Sequence, residues 1–598
     1  MTHPTHPRAS SRRRPNRKWV EPDYAQRRRV LLYLLVILSL LLLAQLIFRQ
    51  VLETDFLQDQ GELRYQREVE IPAHRGVITD RHGDPLAIST PVESLWVNPR
   101  HFHPDGPSLT RLAQIIGRDK GQLAKTLETH AEKNFLYLRR RMDPDSAEQV
   151  RQWLATQPRR VQAKGALRVT AAGLQREYRR FYPAGEVSAH VVGYTDVDDD
   201  GQEGLELTYN SWLEGKPGLK RVIKDGQDRI VEEVESIQAP APGRELVLSI
   251  DQRLQFLTYL ELKAAVQKHK AKAGSAVILD VHTGEVLALV NQPSYNPNAK
   301  RDAEGGRLRN RALTDVFEPG STIKPFIVAF ALEAGRVRPD TPIETSPGTL
   351  SLGGHTIKDV HNYGRTDVTG VITKSSNVGI TKISLGMLPE VVWQGLSRVG
   401  FGVPLETHFP QEAQGSLPHY KSWNPFVQAT ISFGYGVSSN LLQLARAYSV
   451  IANDGILLPV SLLKVEEAPA GERVMSAAVA KSLRTILETV VSPTGTAQKA
   501  ALDGYRVAGK TGTAKKSMGH SGYADKKYTS AFVGMVPASD PRLVMAVLID
   551  DPSEGDYYGG LVAAPVFGRL MAGAVRLLNI PPDRPDAVGL RLAGGGKP

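Results

Sequence analysis

Apolar residues divide the chain into a membrane anchor and two folded regions. Nineteen uncharged and mostly apolar residues run from Val30 to Phe48. As a helix this stretch is about 28 Å long, close to the hydrocarbon thickness of a bilayer. A cleavable signal peptide has a shorter apolar core, of roughly 7–15 residues, and a small-residue cleavage site. The pattern therefore predicts an uncleaved transmembrane anchor at 30–48.

The region after the anchor, 49–240, mixes strand and helix patterns. SLWVN (94–98) alternates like a strand, and SAEQVRQWLATQ (146–157) has the spacing of an amphipathic helix. APAPGRE (239–245) is rich in proline and glycine and indicates a linker. The sequence predicts a mixed domain that ends at this linker.

A second domain is predicted at 241–580. It opens with a helical pattern at 252–270, followed by the apolar runs SAVILDV and EVLALV, which His-Thr-Gly joins as a hairpin. The middle, about 320–500, is mainly helical in pattern. Strand patterns return at 506–514, 528–538 and 541–550. Strands at both ends with helices between them predict an α/β (α+β) fold, in which the last strands complete one antiparallel sheet. The final residues, 581–598, have the composition of a disordered tail.

The positive charge is concentrated at the N-terminus. The net charge is +11, and residues 1–29 carry nine Lys/Arg against two acids, so +7 lies in this basic tail and +4 in the rest. The basicity therefore predicts no nucleic-acid partner. Arginines beside an anchor hold the N-terminus in the cytoplasm, so we expect an inner-membrane protein with everything from about residue 50 outside. Zero cysteines exclude disulfides, thiol catalysis and cysteine metal sites.

The stretch FEPGSTIKPF (317–326) contains the first candidate chemistry. Residues three apart on a helix lie about 5–6 Å from each other, so Ser321 and Lys324 can touch. Pro319 and Gly320 place the serine at a helix start, where free N–H groups favour developing negative charge. Lysine is a base only when burial or a second cation lowers its pKa. Lys510 is our candidate for that cation.

Short spacings recur by chance in this chain. A second Ser-x-x-Lys, Ser461 to Lys464, lies in a strand-like run that would send the two side chains to opposite faces. Ser-x-Asn occurs four times, and Ser438/Asn440 precedes a helical pattern as a natural N-cap. The same capping interpretation applies to Ser375/Asn377, so neither spacing identifies a site by itself.

Lys-Thr-Gly occurs once, at 510–512, and it overlaps another pattern. Gly504 to Thr511 fits the phosphate-loop consensus G-x-x-x-x-G-K-[ST]. A phosphate loop must open a helix whose N-terminus faces the anion. The residues that follow, GTAKKSMGHSGYADKK, have no helical apolar period, and ATP is scarce outside the membrane. We therefore reject the ATP-binding interpretation.

The order of the three motifs is more specific than any one of them. Ser-x-x-Lys, Ser-x-Asn and Lys-Thr-Gly together are the motif set of penicillin-binding proteins and class A β-lactamases. The chain closely resembles the class B high-molecular-weight penicillin-binding proteins over about residues 70–580, and within them the division-specific members of Gram-negative bacteria. The resemblance rests on three stretches of the first domain (75–87, 180–194, 203–218) and on RNRALTDVFEPGSTIKPF, KSSNVG, FGYG, KTGTAKK and YYGGLVAAPVFG in the second.

The resemblance implies a penicilloyl-serine transferase fold on a pedestal domain, and a peptidoglycan D,D-transpeptidase without a cofactor or metal. Ser321 would attack a D-Ala-D-Ala stem peptide, with Lys324 as base and Ser375 as proton relay. Asn377 would bind the peptide backbone or orient Lys324. The N–H groups of Ser321 and Thr513 would form the oxyanion hole. The Thr511 and Thr513 hydroxyls would hold the substrate carboxylate beside Lys510, and Gly512 would complete this substrate-binding motif.

The resemblance also implies partners. These are stem peptides, β-lactam antibiotics, the membrane, and division proteins that include a multi-spanning glycan polymerase, because no glycosyltransferase domain fits before residue 240. In the first domain, Arg75 and Asp80 can form a surface salt bridge, and we expect structural rather than catalytic roles there. DVDDDG (196–201) starts like a calcium loop, but Leu207 stands where a bidentate glutamate is needed.

Three alternatives remain on the sequence. The first is an elongation-specific transpeptidase with the same chemistry in a different complex. The second is a β-lactamase or β-lactam sensor, although no clear counterpart of a hydrolytic glutamate is seen. The third is a scaffold whose active site is unused.

Overall fold

The computed structural model describes residues 25–52, 66–156, 171–224, 230–299, 306–517 and 522–584. Most of the basic tail and most of the predicted C-terminal tail lie outside these residues. The chain forms two compact units. One comprises Met1–Glu70 with Leu219–Gln238, and the other Ile71–Gly218 with Ala239–Pro598.

Twenty-one strands are described. In chain order they are β1 (Gln66–Ile71), β2 (Ile78–Thr79), β3 (Pro85–Val97), β4 (Leu136–Met142), β5 (Ala172–Phe181), β6 (Tyr194–Thr195), β7 (Gly201–Glu203), β8 (Gly218–Lys224), β9 (Ile230–Gln238), β10 (Leu246–Val247), β11 (Ala273–Asp280), β12 (Val286–Gln292), β13 (Pro342–Glu344), β14 (Thr349–Leu352), β15 (His355–Lys358), β16 (Arg365–Asp367), β17 (Ile456–Leu457), β18 (Glu472–Arg473), β19 (Ala508–Ser517), β20 (Tyr523–Val536) and β21 (Leu543–Asp550).

The α-helices are named here by their bounds. They are Ala25–Ile47, Gly106–Ile115, Lys120–Thr129, Pro144–Thr156, Ala189–Val192, Gly204–Thr208, Asn210–Leu213, Gln252–Lys268, Arg311–Thr314, Lys324–Glu333, Val368–Thr373, Asn377–Leu385, Pro389–Arg398, Pro425–Ser432, Leu441–Ala452, Ala477–Val491, Gly559–Val562 and Ala564–Leu577.

The smaller unit contains the predicted anchor. The helix Ala25–Ile47 continues into a π-helical turn, Phe48–Leu52, and every described side chain of the helix is exposed. Within Ala25–Val51 a window of 18 residues has a mean hydropathy of 2.9, so the helix is long and apolar enough to cross a membrane. A second apolar stretch of the described residues, Gly559–Leu577, lies mostly in the core of the larger unit, where 56% of its most apolar 18-residue window is buried. The smaller unit also holds a three-stranded sheet in the order β1-β8-β9.

The pedestal domain is built on strand β3. β3 pairs with β2, β4 and β5, and β10 joins the sheet in parallel beside β2. Leu95 and Val97 of β3 pack with Trp153 into a separate hydrophobic core beneath three helices. The strand predicted at 94–98 is confirmed as far as Val97, and the helix predicted at 146–157 as far as Thr156. Gln157 lies outside the described residues.

The predicted surface pair of Arg75 and Asp80 is wrong. Arg75 and Arg180 each donate from Nε to one oxygen of the Glu206 carboxylate, at 2.6 Å, and all three side chains are buried. Asp80 accepts from the N–H groups of His82 (2.8 Å), Asp84 (2.9 Å) and Gln252 (3.1 Å). Its carboxylate therefore closes a turn and accepts from the first N–H of the helix Gln252–Lys268, whose N-cap is Asp251. These contacts agree with a structural role for this stretch.

The second domain is built on a five-stranded antiparallel sheet in the order β12-β11-β21-β20-β19. The two predicted hairpins, β11–β12 and β20–β21, are confirmed, as is the closing of the sheet by the last strands. The pairs β13–β16, β14–β15 and β17–β18 were not predicted, because strands of two to four residues are too short to alternate visibly. Among the described strands, β19 forms one edge of the central sheet.

The helix Lys324–Glu333 passes through the centre of the hydrophobic core, and residues 324–331 are all buried. Phe326 packs edge-to-face against Phe401 and Tyr448, with ring centres 5.6 and 5.3 Å apart. The Tyr448 hydroxyl donates to the carbonyl of Thr322 at 2.7 Å. Residues of the hydrophobic core thus fix the turn that carries Ser321.

Candidate active site

Ser321 lies in a tight turn at the start of the central helix. Gly320–Ile323 form a single 3₁₀ turn that leads into Lys324–Glu333, so the predicted helix start is confirmed. Gly320 has φ +54° and donates to the Gly434 carbonyl at 3.1 Å. A Cβ on Gly434 would lie 2.1 Å from the Gly320 carbonyl oxygen, so the loop 433–436 requires glycine there. This close packing fixes the backbone on which the serine stands.

The Lys324 amine is buried and points at the second motif. It lies 2.7 Å from the carbonyl oxygen of Ser375, 2.7 Å from Asn377 Oδ1 and 3.3 Å from Ser375 Oγ. Burial places the pKa of Lys324 well below its usual range, and the charge of Lys510 lowers it further. Both effects match the sequence expectation.

The donors and acceptors around this amine fit its neutral form. A neutral amine has two hydrogens and one lone pair, and the two shortest contacts go to pure acceptors, the Ser375 carbonyl and Asn377 Oδ1. Donation to both leaves the lone pair for a hydroxyl. The site can therefore take a proton from a serine without breaking either of the two short hydrogen bonds.

Lys510 approaches the same serine from β19. Its amine donates to Ser375 Oγ at 3.0 Å and contacts the Thr511 carbonyl at 3.2 Å. The side chain is fully buried, and burial lowers the pKa of Lys510 to about 7. The Ser375 hydroxyl thus bridges two lysine amines whose proton affinities are both reduced.

The second motif has a geometry that capping does not explain. Ser375 has φ +60°, a conformation that side chains other than glycine adopt rarely. The cap of the helix Asn377–Leu385 is Ser376, whose Oγ accepts from the Gly379 N–H at 2.8 Å. The capping interpretation is therefore wrong for Ser375. The neighbouring serine caps the helix, which leaves the Ser375 hydroxyl to the two amines.

The third motif packs directly on the serine turn. A Cβ on Gly512 would lie 2.9 Å from Thr322 Cγ2 and 3.0 Å from the Pro319 carbonyl oxygen. Only glycine lets β19 approach so closely. Thr513 Oγ1 accepts from the Gly559 N–H at 3.0 Å.

The phosphate-loop interpretation of the third motif fails. The lysine and threonine that it needs lie inside β19, which runs on to Ser517, and no helix starts there. The rejection made on the sequence is confirmed.

The other Ser-x-x-Lys is not a site. Ser461 Oγ donates to the Leu463 carbonyl at 2.6 Å, whereas the Lys464 amine donates to the Arg81 carbonyl at 3.0 Å. The two side chains thus hold different segments, as the alternating pattern indicated. Within the part of the chain that the structure describes, no group of three or more His, Cys, Asp or Glu side chains is placed to hold a metal ion.

Comparison with known proteins identifies the family of this site. Residues 274–572 match the penicillin-binding protein transpeptidase domain, and residues 70–248 match the penicillin-binding protein dimerisation domain. The chain belongs to the class B penicillin-binding proteins. The resemblance drawn from the motifs is confirmed, and the domain below the transpeptidase domain is the dimerisation domain of this class.

The chain is similar to curated members of the class over nearly its whole length. It is 43% identical to the "Probable peptidoglycan D,D-transpeptidase PbpC" of Pseudomonas aeruginosa, over 92% of this chain and 95% of that one. It is 40% identical to the "Peptidoglycan D,D-transpeptidase FtsI" of Escherichia coli, over 96% of each. The solved apo structure of the transpeptidase domain of Burkholderia pseudomallei penicillin-binding protein 3 covers 56% of this chain and 98% of its own, with 49% identity and a TM-score of 0.53.

This penicillin-binding protein has a site residue that the sequence analysis missed. Asp359 follows β15 and accepts from the Ser376 hydroxyl (2.6 Å) and from the N–H groups of Asn377 and Val378 (3.0 Å to the latter). Its charge is the one effect that raises the pKa of Lys324. It therefore anchors the second motif and also affects how strongly Lys324 holds its proton. A lone aspartate in a loop carries no motif that could have revealed it.

Proposed function

We propose that this protein is a peptidoglycan D,D-transpeptidase that cross-links stem peptides at the division septum, through an ester on Ser321. The observation that carries the proposal is the pair of buried lysine amines, Lys324 and Lys510, which both contact Ser375 Oγ beside the Ser321 turn. Buried amines of reduced pKa are costly for a fold and are typical of functional sites.

In the acylation half-reaction, neutral Lys324 takes the proton of Ser321 as Oγ attacks the penultimate D-Ala carbonyl. The negative charge then passes to the carbonyl oxygen. Two backbone N–H groups, those of Ser321 and Thr513, stabilise it, and each such donor contributes a rate factor of about 10²–10³. Ser375 relays the proton to the leaving nitrogen, the terminal D-Ala departs, and the acyl-serine ester remains.

Substrate binding uses the edge strand and its cation. The Thr511 and Thr513 hydroxyls hold the carboxylate that ends the donor peptide, beside Lys510, and Gly512 between them lets β19 pack closely on the Ser321 turn. Asn377 keeps the Lys324 amine aimed at the serine, since its Oδ1 lies 2.7 Å from Nζ. An edge strand such as β19 can pair with an extended peptide.

In the second half-reaction the side-chain amine of a stem peptide on another glycan strand attacks the ester. A new amide bond forms, the amine's proton goes to the same lysine base, and Ser321 regains its hydrogen. β-Lactams carry a similar carboxylate and a strained amide, and they acylate the same serine to give a slowly hydrolysed ester.

Topology and partners complete the proposal. The tail 1–29 lies in the cytoplasm, 30–48 spans the inner membrane once, and the pedestal (49–240) and transpeptidase domain (241–580) lie in the periplasm, before a C-terminal tail (581–598). Division proteins, including a multi-spanning glycan polymerase, supply the glycan strands. No cofactor or nucleic acid takes part.

The rate of acylation by benzylpenicillin should depend on pH through both lysines. Since the base must be neutral, the second-order rate constant rises with pH until Lys324 has lost its proton. Lys510, with a pKa of about 7, is charged below that pH and neutral above it, so attraction for the carboxylate falls above about pH 7. We expect a maximum near neutral pH in stopped-flow or mass-spectrometric rates. A rate constant that is level from pH 7 to pH 10 would contradict the role of Lys510.

Depletion of the full-length chain tests the cellular function. Cells that depend on a regulated copy should grow as filaments when it is withdrawn, because septal cross-linking stops while elongation continues. Round cells would instead favour the elongation-specific alternative. Rapid turnover of a chromogenic cephalosporin by the purified protein would favour a β-lactamase.

A further inference from the structure

A threonine outside the three motifs contacts the third motif. Thr496 Oγ1 lies 3.0 Å from Thr511 Oγ1, and either hydroxyl can be the donor. Thr511 is nearly buried, with 7% of its surface exposed, whereas Thr496 is exposed. The contact therefore links a surface hydroxyl to a nearly buried hydroxyl that lies 3.4 Å from the Lys510 amine.

Thr496 belongs to a short segment, residues 492–497, which we call the brace loop. Its turn is closed by Gly495 N–H donating to the Ser492 carbonyl at 2.9 Å, and Ala497 N–H donates to Val490 at 2.9 Å. These bonds fix the loop to the end of the helix Ala477–Val491. The position of Thr496 is thus set by the backbone around it.

The brace loop is also tied to two segments of the active site. The amine of Lys374, the residue before Ser375, donates to the Thr494 carbonyl at 2.8 Å. On the other side, a Cβ on Gly560 would lie 2.0 Å from the Thr496 carbonyl oxygen, so the backbones touch there. The loop therefore connects the second motif to the segment that packs on the third.

The hydrogens around Thr511 can be counted. A hydroxyl has one hydrogen and two lone pairs. The Lys510 amine lies 3.4 Å from Thr511 Oγ1 and can only donate when charged. If Thr511 donated to Thr496, it would present lone pairs to an incoming anion. If Thr496 donates instead, Thr511 keeps its hydrogen for that anion, and the chain of hydroxyls strengthens the bond.

We infer that Thr496 is a positioning residue for carboxylate recognition. Its hydroxyl donates to Thr511 Oγ1 and so directs the Thr511 hydrogen at the carboxylate that ends the donor peptide or is carried by a penicillin. Selectivity for a free carboxylate over its ester then depends on Thr496 as well as on Lys510. This inference rests on the proposed transpeptidase function.

The test compares benzylpenicillin with its methyl ester, which lacks the anionic carboxylate. Acylation of the full-length protein is followed by intact-protein mass spectrometry. Thr496→Val, which keeps the shape and removes the hydroxyl, should slow acylation by the free acid about ten-fold, the size of one hydrogen bond. Its rate with the ester should stay within about two-fold of the unmodified protein. Thr496→Ser, which keeps the hydroxyl, should restore the rate with the free acid.

A double mutant separates orientation from direct contact. If Thr496 acts through Thr511, Thr496→Val should cause no further loss in a Thr511→Val background. Additive losses, equal losses with acid and ester, or an unchanged rate with the acid would each overturn the inference. An unmodified protein that neither compound acylates would instead contradict the proposed function, so the two failures are distinguishable.

Discussion

Replacing Ser321 with alanine should abolish acylation by penicillin and the ability of the chain to support division. The expected loss is about 10⁵–10⁶-fold, because alanine has no hydroxyl to form the proposed ester. Alanine removes one hydroxyl from a half-buried turn, so the free energy of unfolding should change by less than about 1 kcal/mol. The measurements are the acylation rate by mass spectrometry, thermal unfolding, and complementation in depleted cells.

The chain supplies a matched control for this experiment. Ser461 is the serine of the other Ser-x-x-Lys, and its hydroxyl donates only to the nearby Leu463 carbonyl. Ser461→Ala should therefore be acylated at the unmodified rate. If Ser321→Ala supported division while remaining folded and in the membrane, the scaffold alternative would be correct.

Replacing Lys324 with methionine should have the second largest effect. Methionine has a similar length and keeps the core filled, but it removes the amine that accepts the serine proton. The loss of a general base costs about 10²–10⁴-fold in rate, so we expect the acylation rate constant for benzylpenicillin to fall by about 10³-fold. Near-normal acylation of a folded Lys324→Met protein would show that another group is the base.

Lys464→Met is the control for this second substitution. The Lys464 amine donates to the Arg81 carbonyl, away from the serine turn. The variant should keep the unmodified acylation rate, even if thermal stability falls slightly. A large loss of rate in this variant would show that the assay responds to general disruption of the domain.

The fold could be predicted from the sequence where patterns are local and long. The anchor helix, the hairpin β11–β12 and the late strands β20 and β21 each have runs of at least six apolar or alternating residues. This periodicity is visible in the sequence without any knowledge of the tertiary contacts. The serine turn was also predictable, because Pro319 and Gly320 adjoin the motif itself.

Contacts between distant parts of the chain could not be predicted in the same way. Arg75 pairs with Glu206, which is 131 residues away, rather than with the nearby Asp80. Asp359 reaches the second motif only because the β14–β15 hairpin folds back on the helix Asn377–Leu385. Such contacts depend on burial and chain reversal, which produce no recognisable spacing of residues in the sequence.

The positive φ of Ser375 could not be predicted either. The spacing Ser-x-Asn is shared with Asn440, which does cap the helix Leu441–Ala452. The sequence therefore allowed a cap at Ser375, and only the backbone conformation shows that Ser376 takes that role. A one-residue difference decides which hydroxyl faces the two amines.

A single adduct-mapping experiment bears on all of these roles. The purified chain is labelled with a fluorescent penicillin, digested, and the modified peptide is sequenced by mass spectrometry. The account predicts one adduct, on Ser321 within the segment FEPGSTIKPF. An adduct on a different side chain, or no adduct on correctly folded protein, would contradict it.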